Sequence, residues 1–242
     1  MATITTKPST FLPATVTDDV IAALDTAASN KALTVASQFR RAFAVAEAVY
    51  QLKALLTPEV MKPILNLQNT SLGFQTDRRD TGYPLETVKE CLIDAVLSGV
   101  SPVGNEFNII AGRAYITKNG MIHKLSTIDG LSYTMTPGIP KMAGENGAAI
   151  IMAIDWTFNG KTNHKDLALA VRINKGMGAD AIIGKATRKA AAWLYQTVTG
   201  QTVDEGDATD SAAPVIEAKV SAIDSEPVKT ETAPAETGDL PM

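Results

Sequence analysis

Apolar positions recur along this chain with two periods, and the switch between them divides it. Thr17 followed by Asp18 and Asp19 reads as a helix cap with acids in the first turn, opening a largely helical, Ala-rich arm that runs to about Leu56. Within it Val20, Leu24 and Ala27, then Val35, Phe39, Phe43, Ala46 and Tyr50, return at threes and fours. Arg40, Arg41, Glu47 and Lys53 fall largely elsewhere, the mark of an amphipathic helix; Asn30 is a candidate break. Thr57-Pro58-Glu59 starts a further helix that Pro63 limits or bends. Residues 66–82 read as loop, and Leu85, Val88, Leu92, Ala95 and Val96 predict a helix over 84–98 that Gly99 terminates.

Beyond Ser101-Pro102-Val103-Gly104 the period shortens. Strands are predicted at 107–110 and 113–117, the second ending in the turn signal Lys118-Asn119-Gly120. Residues 121–125 fit a return strand or a helix's first turns. The clearest hairpin runs from Ala149 to Phe158, turns at Asn159-Gly160, and returns over 165–173. There Leu167, Leu169, Val171 and Ile173 alternate with Asp166, Ala168, Ala170 and Arg172, so one face is buried and the other polar. A last helix over 180–199 places Ile183, Ala186, Ala190, Trp193, Leu194 and Thr197 on one arc and stops at Gly200.

Helices flanking a small antiparallel sheet make the expected class α+β. Residues 1–56 form a helical arm expected to make oligomer contacts, 57–200 an α+β core, and 201–242 an acidic tail. The tail is built from Ala, Pro, Thr, Glu, Asp and Ser without an aromatic residue, a composition that does not offset the entropy of ordering, so it is expected to be disordered.

Charge sharpens this division. The chain's formal net charge of -4 is a difference between residues 1–200, with 20 Lys and Arg against 16 Asp and Glu, and residues 201–242, with 2 against 10. Residues 113–189 alone hold 11 basic side chains against 5 acidic ones, which makes a polyanion partner reasonable. A soluble surface needs no partner to explain the same excess, so placement decides.

On the last helix Lys185, Arg188 and Lys189 fall within an arc of about a hundred degrees, away from the apolar arc. In front of it Asn174-Lys175-Gly176-Met177-Gly178 offers glycines, a lysine and a helix N-terminus, the elements of a phosphate cradle. Arg172, on the polar face of its strand, extends this surface, and Arg113, Lys118 and Lys124 join it if the two strand groups share one sheet. Tyr115 is a candidate for stacking on a base, although packing into the core explains it as well. Asp77-Arg78-Arg79-Asp80 reads as a solvated turn.

Catalytic chemistry finds less support. Gly178 to Thr187 departs from a phosphate-binding loop, with five residues between the glycines and Ala186 where a magnesium-binding hydroxyl belongs, so nucleotide hydrolysis is not expected. No nucleophile elbow, paired-histidine helix or dinucleotide fingerprint occurs, and Asp155 has no evident partner. One cysteine, Cys91, and two histidines exclude an intrachain disulfide and a spaced zinc set. Cys91 is expected in the core. The protein is read as a non-enzyme without a cofactor, Mg2+ being left open. It shows no secretory signal or membrane span, and a bacterial host cytoplasm is the expected location.

The order of these elements resembles the RecT/Redβ family of phage single-strand annealing proteins. A helix from Val88 leads through a Gly and Pro turn into Gly112-Arg113-Ala114-Tyr115-Ile116, then Gly120-Met121-Ile122, a hairpin and a basic closing helix, over roughly residues 84–200. That resemblance implies rings or filaments holding single-stranded DNA in a basic groove without ATP, and partners such as a phage exonuclease or a host single-strand binding protein. If a protomer neutralises about three phosphates, affinity falls roughly tenfold to twentyfold between 50 and 200 mM salt, so repetition along an oligomer is what makes binding effective. The tail's end, Gly238 to Met242, resembles the acidic terminal peptide by which bacterial single-strand binding proteins recruit partners, while a solubilising tail explains the same residues. The competing reading is an oligomeric phage structural or scaffold protein without annealing activity.

Overall fold

The computed structural model describes residues 16–29, 38–174 and 176–203. The acidic tail beyond Val203, the N-terminal 15 residues, the interrupting segment around Asn30 and Lys175 lie outside them. The fold is α+β, with six helices and six strands among the described residues.

Helix α1 (Asp18–Ala28) starts where expected, its first turn closed by the Thr17 hydroxyl accepting from Val20 N at 3.3 Å. After α2 (Gln38–Leu55), Thr57 caps α3 (Pro58–Leu65) in the same way, and Pro63 is accommodated within its eight residues. Helix α4 (Leu85–Leu97) ends on Gly99 at φ +80°. There Gly99 N donates to the Val96 carbonyl and Val100 N to that of Ala95, the paired bonds of a glycine-terminated helix end. Cys91 is buried on α4 as expected, and burial pushes its thiol up to about 11.

Strands β1 (Phe107–Ile110) and β2 (Arg113–Ile116) pair as a two-stranded ribbon of their own. Its two-residue turn places both Ala111 and Gly112 at positive φ, the conformation such turns require. Alanine is held there by side chains from the preceding loop. Ala111 N donates to Asp77 Oδ2 at 3.0 Å, Gly112 N to the Tyr83 hydroxyl at 2.9 Å, and that hydroxyl to Asp77 Oδ1 at 2.9 Å. The bond from Ala111 N is the main cause holding the Asp77 carboxyl below its usual range. Asp77 is therefore an anchor of the ribbon rather than part of a merely solvated turn.

Lys118-Asn119-Gly120 is not a turn. It forms the first residues of helix α5 (Lys118–Ser126), which Thr117 caps by accepting from Gly120 N. A side chain at Gly120 would place its Cβ 2.2 Å from the Glu106 carbonyl, so the glycine marks a close approach of two backbones. Turn chemistry and close packing draw on the same residue type, which is why the sequence misleads here.

The larger sheet is centred on β5 (Gly147–Phe158), flanked on one side by β6 (Lys161–Arg172) and on the other by β3 (Ser132–Pro137) and β4 (Lys141–Met142). All its pairings are antiparallel. Both hairpin strands are longer than their alternation suggested, and β3 and β4 were not foreseen. The Asn159-Gly160 turn sets the register Phe158↔Lys161 through Gly147↔Arg172. Ala148, Ile150, Met152 and Ile154 of β5, with Val171 of β6, are buried against helix α6 (Ala179–Thr199), which brings Ile182, Ala186, Ala190 and Leu194 to that face. Trp156 and Trp193 close one end of this contact edge to face, with ring centroids 5.5 Å apart. Fully burying each of the larger residues here stabilises the fold by about 1.5–3 kcal/mol. Thr197, placed on the apolar arc by periodicity, is exposed.

Two sheets rather than one is the main departure from expectation. Arg113 belongs to the small ribbon and Arg172 to the large sheet, so the two strand groups share no ladder.

Candidate nucleic-acid interface

Helix α6 distributes its cations to opposite flanks. Lys185 Nζ donates to the Arg172 carbonyl at 3.0 Å and Lys189 Nζ to the Ala170 carbonyl at 3.1 Å, both on β6. Arg188 turns the other way. It is 4 % exposed, its Nε donates to the Ile116 carbonyl of β2 at 2.7 Å, and its guanidinium lies 4.1 Å from the centroid of the Tyr115 ring. The three residues do share an arc, but the arc straddles the line between β6 and β2, and Arg188 is covered from the β2 side.

Arg188 is thus a structural side chain, and Tyr115 carries a guanidinium on its ring. Arg188, buried, does not belong to an open DNA-contact surface, and Tyr115 stays half-buried with that guanidinium on its ring. Lys124 is corrected in the same way. On α5 it is 9 % exposed, donates to the Ser98 carbonyl at the end of α4 and lies 4.5 Å from the Tyr195 ring centroid. Burial lowers its pKa from the usual lysine value. Lys124 and Arg113 line a groove of about 840 Å³ that also takes in Arg41, Tyr195 and, with opposite charge, Asp94. Lys118 is exposed at the first position of α5. Lys175, the phosphate-cradle lysine, lies outside the described residues.

What remains together is a row along β6. Among the described residues β6 pairs with β5 alone, so its other edge carries main-chain groups without a ladder partner strand. Successive residues of a strand turn these groups alternately to either side. The carbonyls of 170 and 172 accept from the lysines, so the same parity, at Thr162, His164, Asp166 and Ala168, also turns outward. Lys185 and Lys189 sit about 7 Å apart along this edge, two strand residues' rise. Both ammonium groups bond main-chain carbonyls of the strand. Lys165 and Lys161 continue the row on the sheet face that α6 covers further along, since their parity is that of Leu167 and Leu169. Arg172 closes the row on the opposite face.

The alternation predicts the return strand only over 165–173, which leaves Lys161 outside it and Lys165 at its first position, ahead of the alternating residues. The two-residue turn was the signal: it places Lys161 directly opposite Phe158 and extends the ladder four residues outward.

The open face of the large sheet has a different character. Asp155, without a partner in the sequence reading, pairs across the strands with His164, whose Nδ1 lies 2.7 Å from Asp155 Oδ1. Asp166 lies 3.5 Å from His164 Nε2, and the hydrogen bond that the imidazole donates to Asp155 is the main cause raising the His164 pKa. The open face therefore mixes both signs, with Arg172 and Lys141 on the same side as Asp155, His164 and Asp166, whereas Lys161 and Lys165 lie on the α6 side. Among the described residues no group of three or more His, Cys, Asp or Glu is placed to hold a metal ion, and no helix is long and apolar enough to cross a membrane.

No protein-family model, curated protein or solved structure matches this chain.

Proposed function

We propose that this protein is an ATP-independent single-stranded DNA binding and annealing factor of RecT/Redβ type, acting in phage recombination as a homo-oligomer in the host cytoplasm. The observation that carries the reading is the cationic row on β6 and α6, with Lys185 and Lys189 positioned on an exposed strand edge and Lys161, Lys165 and Arg172 extending it. A sugar-phosphate backbone laid along that edge meets lysine ammonium groups and outward main-chain N–H groups, neither of which selects a base sequence. Bases then point away from the contact and stay open to a complementary strand.

Few contacts per protomer suit such a task. Each phosphate neutralised on a single strand contributes about 0.7 to the salt slope, so one protomer binds weakly and can let go, while repeated protomers hold the strand by effective concentration. No residue here is assigned a catalytic role, and partners such as an exonuclease or a single-strand binding protein belong to the same proposal.

The test is annealing of two complementary fluorescent oligonucleotides without nucleotide. Wild-type protein is expected to accelerate it, and Lys185→Glu/Lys189→Glu to lose both acceleration and single-strand binding with an unchanged circular dichroism spectrum. A wild type that leaves the annealing rate alone, or a double variant as active as wild type, overturns the proposal. A phage scaffold role is favoured by one observation, the exposed aromatic stripe on α2, and is separated from annealing by the same assay.

A further inference from the structure

The apolar stripe of α2 does not face the core. Ala44, Ala48 and Leu52 are the buried positions of this helix, whereas Phe39, Phe43 and Tyr50 are 81 %, 75 % and 72 % exposed, and Ala46 is exposed with them. At 3.6 residues per turn Phe39, Phe43, Ala46 and Tyr50 fall within about 60° of one another. Their spacing of four, three and four is that of a helix seam made for another helix. Helix α1 covers only a flank, where Ala22, Ala23 and Thr26 line a cleft with Gln51 and Ala54, Tyr50 standing at its margin. No described residue lies over the rest of the seam.

We propose that the occupant is the same helix of a second copy of this chain, running antiparallel about a two-fold axis between Ala44 and Val45. In that arrangement each Phe39 meets the partner's Tyr50 and each Phe43 meets the partner's Ala46, large against large at the ends and large against small at the centre. The charges fit the same arrangement. Arg40 and Glu47 flank the seam on one side, and the antiparallel pair brings each Arg40 beside the partner's Glu47, giving two equivalent ion pairs. A parallel pair instead sets Glu47 opposite the partner's Ala42 and gains none. Glu47 already has its carboxylate oriented by Gln51 Nε2 at 2.7 Å.

Three exposed rings on each protomer supply on the order of several hundred Å² of apolar surface a side, which suits a weak, concentration-dependent pair. A two-fold contact closes on itself. It doubles the β6 edge presented to a strand, and larger assemblies need a second, different interface. This inference deepens the oligomeric part of the proposed function and is independent of whether the ligand is DNA.

Sedimentation equilibrium of the full chain between about 1 and 200 μM, with circular dichroism as a check of fold, tests it. Wild type is expected to show a concentration-dependent two-fold step that Phe43→Glu weakens at least a hundredfold. Arg40→Glu and Glu47→Arg should each weaken it several-fold, and the two together in one chain should return it to within about threefold of wild type. A wild type that is monomeric throughout, which is also the outcome if residues 1–15 of the same chain cover the seam, overturns the inference. So do larger assemblies unchanged by Phe43→Glu, and a double charge reversal no better than the single ones. Binding of a short oligonucleotide is measured in parallel: pairing without DNA binding sinks the annealing proposal alone, and DNA binding without pairing sinks this one alone.

Discussion

Two flanks of one helix carry the same kind of residue to opposite ends. On the β6 side of α6, Lys185 and Lys189 reach strand-edge carbonyls and remain at the surface. On the β2 side, one residue away from Lys189, Arg188 is enclosed between the Ile116 carbonyl and the Tyr115 ring. Lysine on the edge follows from its flexible stem and compact, strongly hydrated head. Arginine in the interior follows from a planar, weakly hydrated group that stacks on a ring while donating in its plane. The difference teaches that helical angle alone does not sort structural cations from binding cations; what the neighbouring elements cover does.

The comparison breaks most sharply at Arg188. Replacing it by alanine leaves the Ile116 carbonyl buried without its donor and empties the space over Tyr115, so Arg188→Ala is expected to lower stability by about 3 kcal/mol. Arg188→Lys restores only part of this, because an ammonium cannot stack and donate in one plane. Urea unfolding at constant m-value measures both. A loss below about 0.5 kcal/mol for the alanine variant would return Arg188 to the surface set.

On the other flank stability and binding come apart. Lys185 and Lys189 are half-buried, but the β6 carbonyls they bond lie on an open strand edge where water can replace them, so Lys185→Gln/Lys189→Gln is expected to cost stability no more than about 1 kcal/mol. It should also flatten the log–log salt dependence of single-strand binding by about 1.4, two contacts at about 0.7 each. Binding isotherms from 50 to 300 mM salt read the slope. If the slope stays at the wild-type value while affinity holds, the row on β6 is not where phosphates lie.

How far the sequence carried this distinction depends on the signal involved. Caps at Thr17 and Thr57, the Gly99 and Gly200 helix ends and the Asn159-Gly160 hairpin are local chemistry, and each lies where local reading placed it. Strand β3 escaped because Ser132-Tyr133-Thr134-Met135-Thr136-Pro137 has few strongly apolar residues and gains its identity from pairing with β5. The α2 stripe was legible as a periodic face, but its exposure was not, since the core uses the small residues Ala44 and Ala48 on the opposite side. Among site residues, which sheet a cation joins is a long-range fact. Arg113 and Arg172 could be assigned to one surface only by assuming a ladder that the fold divides in two.

Lys124 offers a subtler contrast, because it keeps a lysine's chain but sits among groups that desolvate it. Its folded-state pKa is lowered by burial, so the unfolded chain binds the proton more strongly. The sign follows: below the lowered value the group is charged in both states and its burial costs stability, and the cost is relieved as pH rises through the folded pKa toward the usual lysine value. The stability difference between Lys124→Met and wild type is therefore expected to shift in favour of wild type between neutral and strongly alkaline pH. Chemical unfolding at a series of pH values measures it. A pH-independent difference would place Lys124 with the solvated lysines of β6.

The smallest effect belongs to the open sheet face, where charge is balanced rather than accumulated. His164 donates a hydrogen bond to the Asp155 carboxylate and is attracted by Asp166, and its pKa is raised as a result. A raised folded-state value means that the pairing's contribution is fully present below the unfolded pKa of about 6.5 and disappears as pH climbs through the folded value. Asp155→Asn removes the main cause and is expected to bring the His164 titration back toward 6.5, observed on its imidazole protons by NMR, with little change in single-strand binding. The Asp155–His164–Asp166 cluster and the lysines of the β6 edge are then electrically separate. A variant that strengthens DNA binding would mean instead that Asp155 repels the strand, and that the phosphate path crosses the sheet face as well as its edge.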